Sequence, residues 1–415
     1  VALPGENVDG HEFVNDAFRH GAVLALVQRE LPQLQSVLDL RQPLAIEKIA
    51  ATLAFLEPRA PLSLLVEDSL LALQGIAGFW RSRLTVKVIG ITGSVGKSTT
   101  KEVIADVLSQ RFRVLKSPGN LNNEIGLPLS MLSLTEEHER AVLEMGFYVP
   151  GEIALLCRLA QPQIGVITNI GTVHAERAGS QEAIAMGKSE LVQALPPAPQ
   201  GVAILNYDDP WVLGMAEKTQ AKVFFYGLSP QAHLWADGIE GLGLEGIRFR
   251  LHYRNEILHL RVPLIGRHSV HTALRAAAVG LVEGLTWQEI VAGLHSERTQ
   301  LRLVSVRSEV GALILDDTYN ASPESTLAAL NLLDELSGRK IAVLGDMLEL
   351  GPYEREGHET VGARAADVVD ELITVGERGR LIANAAWQAG LSKRAISVCS
   401  DNQQVIDYLR DRLRV

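Results

Sequence analysis

From Val86 onward, short, largely apolar runs alternate with longer segments in which apolar residues recur every three or four positions. The runs are Val86–Thr92, Ala141–Leu143, Ile164–Ile167 and Gly201–Leu205, with helices expected between them, the first from about Lys97 to Gln110. Strands buried on both faces and separated by helices imply a parallel sheet covered by helices. Between Lys222 and Val262 the helical periodicity vanishes, and short strands with turn residues predict an antiparallel appendage. Ser269–Gly284 reads as an Ala-rich helix. A third α/β set begins near Gln300. Its strands are predicted at Leu303–Val306, Ala312–Leu315, Ile341–Leu344, Leu372–Val375 and Ile396–Val398, with helices such as Pro323–Leu336 and Gln403–Leu413.

The stretch ahead of Leu84 is a smaller mixed unit. A turn-rich opening leads to a helix over Val14–Arg19, a buried strand over Ala22–Val27, a possible second strand over Ser63–Val66, and a helix over Ser69–Arg81. In that last helix Leu70, Leu73, Ile76, Ala77 and Trp80 mark one apolar face. So few strands in so short a unit suggest that it is incomplete.

Composition narrows the class. At 47% hydrophobic and 21% charged residues the chain is an ordinary globular protein, not a disordered one. Aromatics are only 5%, so Ala, Leu, Val and Ile must build the core. A net charge of -10 argues against clamping nucleic acid on a broad basic face but leaves room for a local phosphate site. Cys157 and Cys399 offer neither a disulfide framework nor a clustered metal motif, which suits a reducing compartment. No apolar run reaches the ~20 residues of a membrane span, and no signal peptide is recognisable.

The strongest local signal is Gly90-Ile91-Thr92-Gly93-Ser94-Val95-Gly96-Lys97-Ser98-Thr99-Thr100. A strand ends in a Gly-rich turn that feeds a helix beginning Lys-Ser-Thr. Such a loop turns backbone N–H groups toward phosphate oxygens, and the helix N-terminus adds partial positive charge. Lys97 can reach the terminal phosphates and Ser98 can bind Mg²⁺. The general pattern wants Gly where Ile91 stands, so this is the variant T-G-x-x-G-K-S-T. A Gly-rich turn with an incidental lysine is the bland alternative; strand before and helix after favour the nucleotide.

That variant loop, followed by Lys101-Glu102, resembles the Mur ligases, ATP-dependent amino-acid and peptide ligases of cell-wall synthesis. Further matches, in the family's order, are Asp9–Phe13, Gly119–Gly126, Thr168–His174, Asp316–Pro323 and Gly345–Gly351. They narrow the resemblance to the branch that joins D-alanyl-D-alanine to UDP-N-acetylmuramoyl-tripeptide. The resemblance implies that ATP phosphorylates the tripeptide's terminal carboxylate, after which the dipeptide amine attacks the acyl phosphate. It implies ATP and two Mg²⁺ ions as cofactors, a monomer, and a cytoplasmic location.

It also implies roles for particular residues. Gly93, Ser94, Gly96, Lys97, Ser98 and Thr99 would hold the nucleotide, with Lys97 catalytic. Glu144 closes a predicted strand and would share a Mg²⁺ with Ser98; otherwise it is a surface carboxylate. His174 would hold a second Mg²⁺, and by spacing alone it is a plain loop residue. Lys188 occupies the position that many Mur ligases carbamylate, giving an oxygen ligand; unmodified, it is an ordinary helical lysine. Arg302 would approach the γ-phosphate and Asp317 the ribose, both delivered by domain closure. Asn122, Asn123, Tyr319 and Asn320 are substrate candidates, although Asn320 and Tyr319 could simply make a turn. His358 matches a family histidine and is given no role.

The chain departs from the family where the base is held. The usual His-Asn-x-x-Asn-Ala-Leu reads His268-Ser269-Val270-His271-Thr272-Ala273-Leu274, so Ser269 and Thr272 replace two asparagines. A short hydroxyl reads a purine edge less well than an amide does, which predicts weak discrimination between purine triphosphates. Both ends read as cut relative to the family: the chain opens on Val1, and a final strand is expected beyond Leu413. The resulting expectation is an α/β protein of three domains. They are an incomplete UDP-substrate domain (1–84), a P-loop parallel-sheet ATPase domain with its antiparallel appendage (85–299), and a Rossmann-like ligase domain (300–415). A sister ligase with another amine substrate, a P-loop kinase, and a nucleotide-binding relative without ligase activity are the competing readings; the last gains from Ser269 and Thr272.

Overall fold

The computed structural model describes residues 1–5, 7–31, 36–42, 61–296, 304–308, 311–318, 320–410 and 412. Among these, the strands are β1 (Leu24–Val27), β2 (Val37–Asp39), β3 (Leu62–Leu65), β4 (Lys87–Thr92), β5 (Val114–Lys116), β6 (Arg140–Glu144) and β7 (Ile164–Ile167). They continue with β8 (Val202–Asn206), β9 (Lys222–Gly227), β10 (Leu234–Gly241), β11 (Ile247–Tyr253) and β12 (Glu256–Val262). The last are β13 (Val304–Arg307), β14 (Leu313–Asp316), β15 (Ile341–Leu344), β16 (Glu371–Val375) and β17 (Ile396–Cys399).

The central element is a nine-stranded sheet in the order β12-β11-β10-β9-β8-β7-β4-β6-β5. Pairing is parallel from β5 through β10. It is antiparallel for β10, β11 and β12. The antiparallel strands expected after Lys222 are therefore continuous with the parallel sheet, and β9 itself is still a parallel strand. Alternate side chains explain why the parallel strands are apolar throughout. Ile89, Ile91, Val142, Val166 and Ile204 pack on one face, beneath helices Lys97–Leu108 and Val270–Val282. Val88, Ala141, Leu143, Ala203 and Leu205 pack on the other, beneath helices Ser69–Ser82, Glu152–Ala160 and Gln181–Gln193. Both faces are dry, so polar alternation never appears in the sequence.

The N-terminal strands form a small parallel sheet, β1-β3-β2, over a core of Ala2, Val14, Ala25, Val27, Leu31 and Leu65. Of the five strands expected after Gln300, β13 and β14 pair as an antiparallel hairpin, while β15-β16-β17 make a separate parallel sheet. That sheet packs on Leu330, Val361, Ala365, Leu372, Ile382 and Ala386. The final predicted helix is found at Asn402–Arg410; its expected extension to Leu413 falls partly outside the described residues. Residues 297–303, which carry the expected boundary at 299/300, and residue 319 also lie outside them. Cys157 and Cys399 are free and buried. Among the described residues no helix is long and apolar enough to cross a membrane.

Candidate active site

The order of the sheet sets the site. β4 has β6 on one side and β7 on the other, so the loop after β4 opens where neighbouring strands diverge, the usual place for a ligand crevice in an open α/β sheet. Gly93 adopts φ +145° and Gly96 adopts φ +82°, conformations that side chains strain to reach. A Cβ on Gly93 would also collide with the Thr168 hydroxyl, so this position needs glycine twice over. The end of β7 then stitches the loop in place. Ser94 N donates to the Asn169 carbonyl (2.9 Å) and Val95 N to Asn169 Oδ1 (2.9 Å). Thr168 Oγ1 donates to the Val95 carbonyl (2.8 Å), and Gly171 N donates to Ser94 Oγ (2.8 Å).

Gly96 caps helix Lys97–Leu108 without a side-chain hydrogen bond, leaving the first-turn N–H groups facing the loop. Lys97 folds back over the loop, donating from Nζ to the carbonyls of Gly93 (2.8 Å) and Ser94 (3.0 Å). One turn further, Lys101 is buried and donates to the Gly119 carbonyl (2.8 Å), tying the Gly119–Gly126 segment to the helix. In that segment Asn122 Nδ2 donates to Glu144 Oε1 (2.9 Å), while Asn123 Oδ1 accepts from Gly126 N (2.8 Å).

Glu144, at the end of β6, is only 2% exposed, and its Oε2 has no hydrogen-bond partner, Lys101 Nζ standing 4.0 Å away. A buried carboxylate oxygen left without a hydrogen bond can receive a cation. Lys188, on helix Gln181–Gln193, is fully buried; its Nζ makes no hydrogen bond and lies 4.6 Å from the Phe147 ring centroid. Burial first, then the nearby Lys97 charge, hold its pKa well below the ordinary lysine value against the opposing pull of Glu152. His174 has φ +70° and its Nδ1 meets Glu349 Oε2 at 2.6 Å, with Tyr148 edge-on to its ring. Burial lowers its pKa, and Glu349 partly counters that.

A cavity of about 400 Å³ lies over the loop, between the central sheet and the C-terminal unit. Ser94, Gly96, Lys97, Thr99, His174, Ser269, Thr272, Asp317 and Asn320 all line it. Gly93, Ser98, Glu144, Lys188, Asn122 and Asn123 do not line it; Asn123 borders a smaller cavity of about 190 Å³ with Gly146, Tyr148 and Glu152. Arg302 and Tyr319 lie outside the described residues. Among the described residues no group of three or more His, Cys, Asp and Glu gathers as a ready metal cluster.

Sequence reasoning missed several residues in and around the cavity. Asn169 and Glu349 stood inside quoted motifs, yet their tertiary partners were invisible. Asn206 ends β8 and donates to the Thr168 carbonyl (3.1 Å), and His271 pairs with Asp208 (2.8 Å). Arg275 carried no signal beyond being a charge in an Ala-rich helix. Ser269 and Thr272 turn out to be engaged locally: Ser269 Oγ donates to the Ile265 carbonyl (2.6 Å), and Thr272 Oγ1 accepts from Arg275 (2.8 Å). His358 is a structural pin, its Nε2 accepting from Met347 N (3.0 Å).

Comparison with known proteins agrees with this geometry. The family model of the Mur ligase middle domain matches residues 91–280, and that of the Mur ligase glutamate ligase domain matches residues 301–414. A UDP-N-acetylmuramoyl-tripeptide–D-alanyl-D-alanine ligase of Synechocystis is 38% identical over 100% of this chain and 83% of that protein. The ligase of the same name from Bacillus subtilis is 38% identical over 99% of this chain and 84% of its own length. Crystal structure I of MurF from Acinetobacter baumannii superposes with a TM-score of 0.83 at 30% identity, covering 99% of this chain and 83% of that one. MurF of Thermotoga maritima, solved in complex with ADP, has a TM-score of 0.79 at 27% identity, covering 99% and 87%. With its phosphate loop, its cleft beneath the C-terminal unit and relatives matched along nearly its whole length, the chain belongs to the Mur ligase family.

Proposed function

We propose that this protein joins D-alanyl-D-alanine to UDP-N-acetylmuramoyl-tripeptide at the expense of ATP, in peptidoglycan precursor synthesis. The observation that carries it is the phosphate loop roofed by Asp317 and Asn320 in a chain whose relatives of that name match it end to end. The γ-phosphoryl group passes to the terminal carboxylate of the tripeptide, giving an acyl phosphate and ADP. The dipeptide amine then attacks the acyl carbon, the C–O bond to phosphate breaks, and phosphate and a proton leave.

In this reading residues 1–84 receive the UDP end, 85–299 bind ATP, and 300–415 supply the closing face. Gly93, Ser94, Gly96, Lys97, Ser98 and Thr99 cradle the phosphates, Asp317 holds the ribose, and Ser269 and Thr272 border the base. Arg302 approaches the γ-phosphate. Asn122, Asn123, Tyr319 and Asn320 face the peptide and its incoming partner. The unpaired Glu144 Oε2 and the unpaired Lys188 Nζ fit a divalent-cation site better than a sealed core. Ser98, Glu144, His174 and a carbamylated Lys188 would hold two Mg²⁺ ions, which supply positive charge to the phosphate oxygens as negative charge builds there. Burial favours the neutral amine of Lys188, the form that reacts with carbon dioxide, its nitrogen pair forming the C–N bond as one proton is lost.

The test is phosphate release from ATP and Mg²⁺ with UDP-N-acetylmuramoyl-tripeptide, with and without D-alanyl-D-alanine. Release that requires the dipeptide is expected; release that ignores it overturns the ligase reading.

A further inference from the structure

Arg275 sits in the second turn of helix Val270–Val282, among the buried Ala273, Ala276, Ala277 and Ala278, and is only 4% exposed. A guanidinium stays charged in a protein, so its burial demands compensation. Its Nη2 donates to Thr272 Oγ1 (2.8 Å), and its Nη1 reaches Tyr226 Oη at 3.4 Å. Tyr226 in turn donates to the carbonyls of Ile167 or Thr168 (3.0 and 3.2 Å), so its oxygen lone pairs face the arginine. These are neutral partners. Among the described residues Arg275 forms no ion pair with a carboxylate, and its buried Nε has no hydrogen-bond partner at all. A buried charge left in that condition costs more than two neutral hydrogen bonds return.

The missing compensation has an obvious place to come from. Arg275 lines the 400 Å³ cavity, and a Cβ on Gly96 would stand 3.5 Å from its Nη2. It therefore lies against the last glycine of the phosphate loop, where the helix N-terminus and Lys97 already favour negative charge. A guanidinium fork suits phosphate oxygens geometrically. Purine acceptors could take its hydrogen bonds but would leave the charge unneutralised. Resting on the nucleotide reading above, we propose that Arg275 is a fixed phosphate-binding cation of the nucleotide site, held by Thr272 and Tyr226 and completed by the nucleotide's own phosphates. Thr272, on this account, positions Arg275 rather than reading the base.

Calorimetric binding of ADP, GDP and pyrophosphate to the full chain, at one fixed ionic strength, tests this without turnover. Arg275→Met should weaken ADP and pyrophosphate alike by about tenfold or more, with Arg275→Lys intermediate and the ADP-to-GDP affinity ratio unchanged. Because a buried charge is removed, Arg275→Met without ligand should melt no lower than the parent, while its ADP-induced rise in Tm shrinks. Unchanged pyrophosphate affinity overturns the proposal, as does a changed ADP-to-GDP ratio, which would assign Arg275 to the base. Those results leave the nucleotide reading standing. A parent protein that binds neither ADP nor pyrophosphate overturns both.

Discussion

Replacing Lys188 by Met should make the protein more stable and far less active. The side chain is fully buried, its Nζ has no hydrogen-bond partner, and burial with the Lys97 charge holds its pKa well below the ordinary lysine value. An unsatisfied buried polar group costs about 1–3 kcal/mol, which the thioether does not incur. Sulfur against the Phe147 ring, now 4.6 Å from Nζ, adds about 0.3–1.5 kcal/mol. Imperfect shape matching removes up to about 1.5 kcal/mol. The net expectation is a gain of about 0–4 kcal/mol, centred near 2, in carbon-dioxide-free buffer. Turnover should nevertheless fall by roughly 10²–10³, because the site loses charge aimed at the transferring phosphoryl group. Urea unfolding followed by tryptophan fluorescence gives the first quantity, compared at the transition midpoint because several units unfold. Bicarbonate should raise parent activity and leave Lys188→Met unaffected. A variant destabilised by 1 kcal/mol or more without carbon dioxide would refute the reasoning, since Nζ would then have a partner or a charge that stabilises the fold.

Other outcomes follow from the same geometry. Gly93→Ala must strain φ +145° and displace the Thr168 hydroxyl from the Val95 carbonyl. It should cost about 2–4 kcal/mol by thermal melting and more than tenfold in ADP affinity, and a normally behaved variant would contradict the loop geometry. Glu144→Gln keeps the hydrogen bond from Asn122 available but removes the charge; Mg²⁺-ADP binding should weaken about tenfold with metal-free ADP unchanged, and equal losses would remove Glu144 from the metal site. NMR titration should place His174 below the ordinary 6.5, with Glu349→Gln pushing it lower still because an opposing carboxylate is lost. A lowered histidine pKa means the unfolded chain takes the proton first, so this group's contribution to stability declines as pH falls from 6.5 toward the folded value; a pKa above 6.5 contradicts the site. GTP should support turnover nearly as well as ATP, because Ser269 and Thr272 spend their hydroxyls on Ile265 and Arg275; a strong preference for ATP would overturn that.

Local chemistry was the most legible layer. The Gly93–Thr100 run announced its loop because positive φ and open N–H groups demand glycine at fixed positions. The helices expected from Pro323 and Ser69 start at those residues, and Ser322 and Asp68 cap them in the structure. The antiparallel strands after Lys222 were visible as strands, but their union with the central sheet was not, because pairing partners leave no mark on periodicity. Arg275 was illegible for a related reason. A single charge in an Ala-rich helix looks like a solvated face until the strand carrying Tyr226 is packed against it.

The sequence by itself determined most of the strands and helices, where phosphate could be bound, and through its motifs which family the chain belongs to. These depend on residues within a turn or two of one another. Only the tertiary structure decided that β4 lies between β6 and β7, which brings Glu144 and Thr168 to opposite sides of one loop. It alone buried Lys188 Nζ, Arg275 Nε and Glu144 Oε2 without hydrogen-bond partners, and set Glu349 of the C-terminal unit against His174. Burial and charge compensation are sums over neighbours distant in sequence, so no local pattern could have contained them.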